Sequence, residues 1–264
     1  MFPDRNHTDR LWGRTSNNGQ TAQTADTLPA ILRVVLNNGI EMPQLGVGTS
    51  TLKETAAECV KRAIGLGYRL VDAAQGYDNE AEVWYGIKES GIGRSEVFII
   101  SKVSPDAVRS GKVRESLDRT IEAFGGTYVD LMLIHWPVAR KVKERWRIME
   151  KYVDMGKIRA IGVSNFNPHH VDELLAYARI KPVVNQIKIH PYMEHQEVVG
   201  NTFAKGIQGQ GGPRWDRGRA MKSTMTKYCS ISSTAITRRY AKWYCAFRSS
   251  RVWLLSQKRH TSNV

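Results

Sequence analysis

Cysteine is scarce in this chain, with Cys59, Cys229 and Cys245 the only three among 264 residues. They make no zinc spacing and no even disulfide set, so neither a disulfide scaffold nor a metal centre is expected. A reduced intracellular setting follows. Long apolar runs are missing too, and none approaches the roughly 20 residues a membrane helix needs. A secretory leader is not expected, because Asp4, Arg5, Arg10 and Arg14 interrupt the first residues and Asn, Thr, Gln and Ser fill the rest. A cytoplasmic protein without a membrane partner is the expectation. Acids nearly vanish at the other end. From Gly209 onward there are 12 of the 39 Lys and Arg but a single acid, Asp216. Most of the net charge of +14 therefore belongs to the tail, and the rest of the chain is close to neutral. The tail interleaves its bases with Trp215, Trp243, Trp253, Tyr240 and Tyr244, which loosely fits nucleic-acid or anionic-surface binding. No binding motif is recognisable there, so an unstructured or mistranslated tail is the simpler account and nucleic acid is not the expected partner.

What is present is a long alternation. Residues 1–30 are polar and aperiodic and read as a disordered extension or an over-long start. Ile31–Leu36 and Ile40–Met42 flank Asn37-Asn38-Gly39, the pattern of a hairpin with an Asn-Gly turn. Short strands are expected at 44–48, 69–71, 97–100, 129–134, 158–163 and 183–189. Between them run helical stripes: Val60, Ala63 and Ile64; residues 79–90; Val113, Leu117, Ile121 and Phe124; Trp146, Met149 and Val153; and Val171, Leu174, Leu175 and Ala178. Gly156 closes the fourth of these, and Asn167-Pro168 opens the fifth as N-cap and first helical residue. Strands apolar on both faces that alternate with helices predict a parallel sheet covered by helices. A run this long favours a barrel of eight βα units.

From Gly209 no strand–helix alternation is visible, and Gly209-Gln210-Gly211-Gly212-Pro213 is a cluster of chain breakers. The expected architecture is thus α/β, of the (β/α)₈ barrel type, with its last two βα units missing or degenerate. The expected divisions are an extension at 1–30, a barrel unit at 31–208 and an aberrant basic tail at 209–264. An abrupt loss of pattern with few acids is what a shifted reading frame produces. Resequencing that part of the gene tests this, and an intact frame without an insertion or deletion would refute it.

In such a barrel the chemistry lies at the C-terminal ends of the strands. The residues at or just past those ends are Asp72, Lys102, His135, Ser164 and Asn165, with Gln186 inside the sixth strand and Tyr77 in the loop after Asp72. Each has an ordinary reading. Asp72 is a turn cap, Tyr77 a half-buried loop aromatic, Lys102 a solvated charge, His135 a structural group, and Ser164-Asn165 part of a helix cap. Taken together at one mouth, they point to proton transfer onto a polar substrate. A lysine beside a phenol favours the phenolate, and an aspartate holds that lysine charged and oriented.

These stretches resemble one family. Gly67-Tyr68-Arg69-Leu70-Val71-Asp72 through Tyr77 and Asn79-Glu80, Ile100-Ser101-Lys102, His135-Trp136-Pro137, Gly156–Phe166, Asn185-Gln186-Ile187 and His190-Pro191 stand in the order and spacing of the aldo-keto reductases. The resemblance covers about Ile31 to Gln208. It implies reduction of an aldehyde or ketone to an alcohol by hydride from a nicotinamide, usually NADPH; a monomer is the expected state. Tyr77 would be the general acid, tuned by Lys102 and Asp72. His135 would orient the carbonyl, and Trp136 would line the substrate pocket. Ser164, Asn165 and Gln186 would hold the nicotinamide carboxamide, with Asp72 beside it. The family does not bind its cofactor on a G-x-G-x-x-G loop, and this chain has none.

Against the family pattern, Ser50 stands in place of a pocket-walling aromatic, Ala73 in place of Thr, and Lys188 in place of an acid. The segments that should embrace the cofactor's pyrophosphate and 2′-phosphate are not recognisable after Gln208. The competing expectation is therefore a catalytically impaired remnant or cofactor-sensing module.

Overall fold

The computed structural model describes residues 31–139, 141–188, 195–212 and 252–254. A two-stranded hairpin comes first, β1 (Arg33–Val35) and β2 (Glu41–Pro43), in antiparallel register with Val34 opposite Met42. Its turn needs Gly39, whose φ of +83° lies where a side chain is strained. Seven parallel strands follow: β3 (Leu45–Gly48), β4 (Leu70–Asp72), β5 (Phe98–Val103), β6 (Val129–Ile134), β7 (Ile158–Ser164), β8 (Val184–Lys188) and β9 (Gln208–Gly212). They neighbour one another in chain order and form a curled half-barrel. A short β10 (Val252–Leu254) lies antiparallel against β3, at the other edge of the sheet from β9.

The helices are α1 (Ala56–Gly65), α2 (Glu80–Glu89), α3 (Pro105–Ser110), α4 (Val113–Ala123), α5 (Val142–Asp154), α6 (Pro168–Leu175) and α7 (Gln196–Ala204). All but α7, whose one buried residue is Thr202, bring apolar side chains to the outward face of the strands. Val60, Ala63 and Ile64 of α1, Leu117 and Ile121 of α4, Trp146 and Met149 of α5, and Val171 and Leu174 of α6 pack with Val71, Ile99, Val103, Met132, Ile134, Ile161 and Val163. Trp146 is fully buried, and its indole N–H donates to the Ile180 carbonyl at 3.0 Å, so its one polar atom is satisfied.

The strands' inward face makes a second, smaller core. Leu70, Phe98, Ile100, Leu131, Leu133, Ala160 and Val184 meet Val34, Leu36 and Met42 of the hairpin, which plugs the N-terminal end. Space there is tight. A Cβ on Gly162 would come within 2.7 Å of both the Leu133 side chain and the Val184 carbonyl. Because side chains alternate along a strand, the positions two residues further on point the same way at the C-terminal end. After Leu70 comes Asp72, after Ile100 comes Lys102, and after Val184 comes Gln186. The interior thus passes from an apolar floor to a polar mouth within one side-chain step.

Three features differ from the sequence expectation. β5 runs three residues beyond Ile100, so Lys102 sits inside a strand. The one-and-a-half-turn α3 was not expected, although Ser104-Pro105 is a clear start: Ser104 Oγ accepts the Ala107 N–H at 3.2 Å and Pro105 takes the first helical position. The sheet also does not stop at its sixth parallel strand. Gln208–Gly212 continues it across the boundary expected after Gln208, pairing Val184 with Gln208 through Lys188 with Gly212. Gln-Gly-Gln-Gly-Gly has no hydrophobic period, so nothing in its pattern announces a strand. The free edge of β8 supplies the pairing instead. The extension at 1–30, the His190-Pro191 motif, and the tail apart from residues 209–212 and 252–254 lie outside the described residues.

Candidate active site

Asp72 is the hub. It ends β4 fully out of solvent, and its backbone carbonyl accepts from Thr49 twice, from the N–H at 3.0 Å and from Oγ1 at 3.1 Å. Its Oδ1 is ion-paired with Lys102 Nζ, and its Oδ2 accepts from Gln186 Nε2 at 2.7 Å. Lys102, equally buried, gives its other ammonium hydrogens to the Ala73 carbonyl at 2.9 Å and to the Tyr77 hydroxyl at 3.4 Å. An ammonium has three donors, and each has a partner here. Burial works against the charged form of Lys102, but Asp72 and then Tyr77 outweigh it and hold the lysine above its ordinary range. It is therefore an ammonium at neutral pH.

Only the carbonyl of Ala73 enters this arrangement, so replacing a threonine side chain there leaves the contact intact. Ser50 is exposed just past the end of β3, and Lys188 is partly buried at the end of β8.

Tyr77 closes the 3₁₀ turn Gln75–Tyr77, and Asp78 follows at φ +56°. Its ring stands 5.0 Å from Lys102 Nζ and meets the His135 ring edge-on, with centroids 5.9 Å apart and planes at 83°. His135 follows β6 directly. Its N–H donates to the Val103 carbonyl at 3.2 Å, and its own carbonyl accepts from Asn165 Nδ2 at 3.1 Å. Burial first, and the Lys102 charge second, pull the His135 pKa from 6.5 down to about 4. The imidazole is neutral at pH 7 and carries one N–H and one free lone pair. Trp136 is 48% exposed, and its ring lies near-parallel to His135 at 6.4 Å, forming an open apolar wall beside these polar groups.

On the opposite side of Asp72, Ser164 ends β7, and Asn165 turns the chain at φ +61°. Asparagine tolerates that left-handed conformation better than most residues, and its N–H is fixed by the Gln186 carbonyl at 2.8 Å. Asn165 Nδ2 also donates to Ser164 Oγ at 3.0 Å. Among the described residues two acceptors, Asn165 Oδ1 and Gln186 Oε1, and one hydroxyl donor, Ser164, are left for a ligand. That set matches a primary carboxamide, which presents two N–H donors and one carbonyl acceptor.

All eight residues named from the sequence thus gather at one end of the sheet. Sequence reasoning missed their supports. Thr49 clamps the Asp72 carbonyl, and Asn79 Nδ2 holds the Thr49 carbonyl at 2.9 Å. Gln75 and Glu80 brace the Tyr77 turn. Gln210, opposite Gln186 in β9, is buried with an Oε1 that has no hydrogen-bond partner among the described residues. Thr49 was the most findable of these, since it stands at a strand end like the rest.

A family model described as the aldo/keto reductase family matches residues 19–208. The chain belongs to that family. It is 46% identical over 177 residues to a glyoxal reductase of Bacillus subtilis (strain 168), a match covering 66% of this chain and 64% of that protein. The chain spans less than two thirds of the length of the curated relatives it matches. Among solved structures, an aldo/keto reductase from Brucella melitensis superposes with a TM-score of 0.71 at 29% identity, covering 82% of this chain and 85% of the other. An aldo-keto reductase from Bombyx mori, solved in complex with NADP, gives 0.68 at 28% identity over 76% and 75%. Membership accounts for the order in which the aldo-keto reductase motifs meet at the mouth. Among the described residues no helix is long and apolar enough to cross a membrane.

Proposed function

We propose that this protein reduces an aldehyde or ketone to the alcohol with NADPH, and that Tyr77 is the proton donor. One observation carries the reading. The Tyr77 hydroxyl lies within reach of a buried ammonium, Lys102, whose charge is held by Asp72. The ammonium thus faces the oxygen on which negative charge is left once the proton has crossed to the substrate.

Bound NADPH supplies the hydride, which the carbonyl carbon accepts. The chain's own residues do the rest. Ser164, Asn165 and Gln186 hold the carboxamide and so choose which face of the ring looks toward the substrate. The neutral His135 donates an N–H to the carbonyl oxygen and turns it toward Tyr77. As charge develops on that oxygen, the Tyr77 proton crosses to it, and Lys102 compensates the phenolate until solvent reprotonates it. Trp136 gives the substrate's carbon skeleton an apolar surface. The protein acts as a cytoplasmic monomer on a small carbonyl compound. Glyoxal, named for the Bacillus subtilis relative, is the first substrate to try.

The test is NADPH oxidation with small aldehydes, parent against Tyr77→Phe. The variant is expected to lose about 10²–10⁴-fold in kcat while its NADPH affinity, read by fluorescence titration, stays the same. Equal rates in the two proteins, or no NADPH binding by the parent, would refute the proposal.

A second reading has one observation in its favour. At the β3 edge the neighbouring strand is the antiparallel β10, where a (β/α)₈ barrel has a parallel one. A catalytically impaired, cofactor-sensing module would bind NADPH and gain thermal stability without turning over any aldehyde.

A further inference from the structure

The turn that carries Tyr77 is held by a set of hydrogen bonds that the proposed chemistry does not use. Gln75 is the first residue of the turn that carries Tyr77. Its Oε1 accepts the Ser104 N–H at 2.9 Å, two residues beyond Lys102. Its Nε2 donates to the Ser116 carbonyl and to Thr120 Oγ1 of α4, each at 3.0 Å. Thr120 passes its own hydrogen to Glu80 Oε2 at 3.2 Å, and Ser101 donates to Glu80 Oε1 at 2.5 Å. Ser101 precedes Lys102 on β5 and points to the opposite face of the sheet. The relay therefore joins the Tyr77 turn, the first residue of α2, the middle of α4 and both flanks of Lys102.

We propose that Gln75 is a positioning residue for proton transfer, fixing the Tyr77 hydroxyl against Lys102 through Ser104 and Thr120. A three-residue 3₁₀ turn has little stiffness of its own, and Gly76 sits in its middle with open space around it. Among the described residues Tyr77 has one hydrogen bond at its hydroxyl, and it is long, at 3.4 Å. Something other than that bond must set the ring's distance from the ammonium. Gln75 places an acceptor on Ser104, just past the strand that carries Lys102, and two donors on α4, which Thr120 and Glu80 tie back to Ser101 of the same strand, so the two reacting groups share one support. Thr120 accepts from Gln75 and donates to Glu80, a direction of bonds that a hydroxyl can satisfy and a methyl cannot.

This inference rests on the reading of Tyr77 as the proton donor. The experiment compares the parent, Gln75→Leu, Tyr77→Phe and the double variant in NADPH-dependent aldehyde reduction. Gln75→Leu keeps the side chain's bulk and removes its three bonds. The expected result is a kcat about tenfold lower, with KM for the aldehyde and NADPH affinity unchanged, and no further loss when Tyr77 is already Phe. An unchanged kcat in Gln75→Leu with only a lower melting temperature would assign Gln75 a structural role and overturn the inference. So would an equal loss in the Tyr77→Phe background. Should Tyr77→Phe itself keep the parent rate, the reading of Tyr77 fails and this inference falls with it. If Gln75→Leu does not fold, Thr120→Val breaks the same relay one bond later. It is expected to lower kcat about threefold, and Thr120→Ser, which keeps the hydroxyl, is expected to recover it. No loss in Thr120→Val would also overturn the inference.

Discussion

Asp72 and Gln186 are 114 residues apart in the chain and 2.7 Å apart in space. One carboxylate thereby joins the groups proposed to move the proton to those proposed to hold the nicotinamide. Oδ1 serves Lys102 and, through it, Tyr77. Oδ2 serves Gln186 and, through its backbone carbonyl, Asn165. A displacement of Asp72 would therefore be felt on both sides of the mouth.

The Asp72–Lys102 pair is the first place to test this. Removing either partner leaves a buried charge without its counter-ion. Lys102→Met and Asp72→Asn are each expected to cost about 3–5 kcal/mol in urea unfolding. The double variant should lose much less than the two added together, because the orphaned charge is then gone. Strict additivity would show that the two groups do not share a site.

His135 predicts a pH dependence of stability. Its folded pKa, about 4, lies below the ordinary 6.5. Between these values the unfolded chain binds a proton that the folded chain refuses. Stability therefore falls as pH drops through that window and is level above it. His170, lowered by burial and then by His169, acts in the same sense, while Glu80, raised by burial, acts against it. The decisive comparison is with His135→Asn, whose unfolding midpoint should fall less steeply from pH 6.5 toward 4. Identical slopes would contradict the assignment.

At the opposite end of the sheet, Asp130 in β6 accepts from Arg94 and Arg159, each at 2.7 Å, and from the Ile99 N–H at 2.9 Å. This is a structural clamp at the barrel floor. Asp130→Ala is expected to cost about 3 kcal/mol and to leave kcat per folded molecule where it was. A change in aldehyde turnover beyond the loss of folded protein would show that the floor communicates with the mouth.

The alternation of strands and helices was legible because its cause is local. A strand covered on both faces has to be apolar throughout, and a helix lying on it has to carry a stripe. Val97-Phe98-Ile99-Ile100 and the stripe Val113, Leu117, Ile121 and Phe124 both declare themselves in this way. Gln208–Gly212 does not, because its place in the sheet comes from the exposed edge of β8 and owes nothing to its own side chains. α3 is short enough that only its cap, Ser104-Pro105, marks it.

The sequence by itself determined the membership of the candidate site: which strand ends carry Asp72, Lys102, His135, Ser164 and Asn165, with Tyr77 beyond the first and Gln186 inside the sixth. A chemically capable residue at the end of an apolar run is visible in one dimension. Only the tertiary structure decided the distances among these groups and which atoms face one another. It put Lys102 inside β5 where its ammonium could be wholly surrounded, gave Asp72 two different partners on its two oxygens, and tied Gln75 to Ser104 and Thr120. Those outcomes depend on strand register and on the inward or outward parity of each side chain. Register is decided by packing across the sheet, and a shift of a single residue would send Lys102 to the outer face.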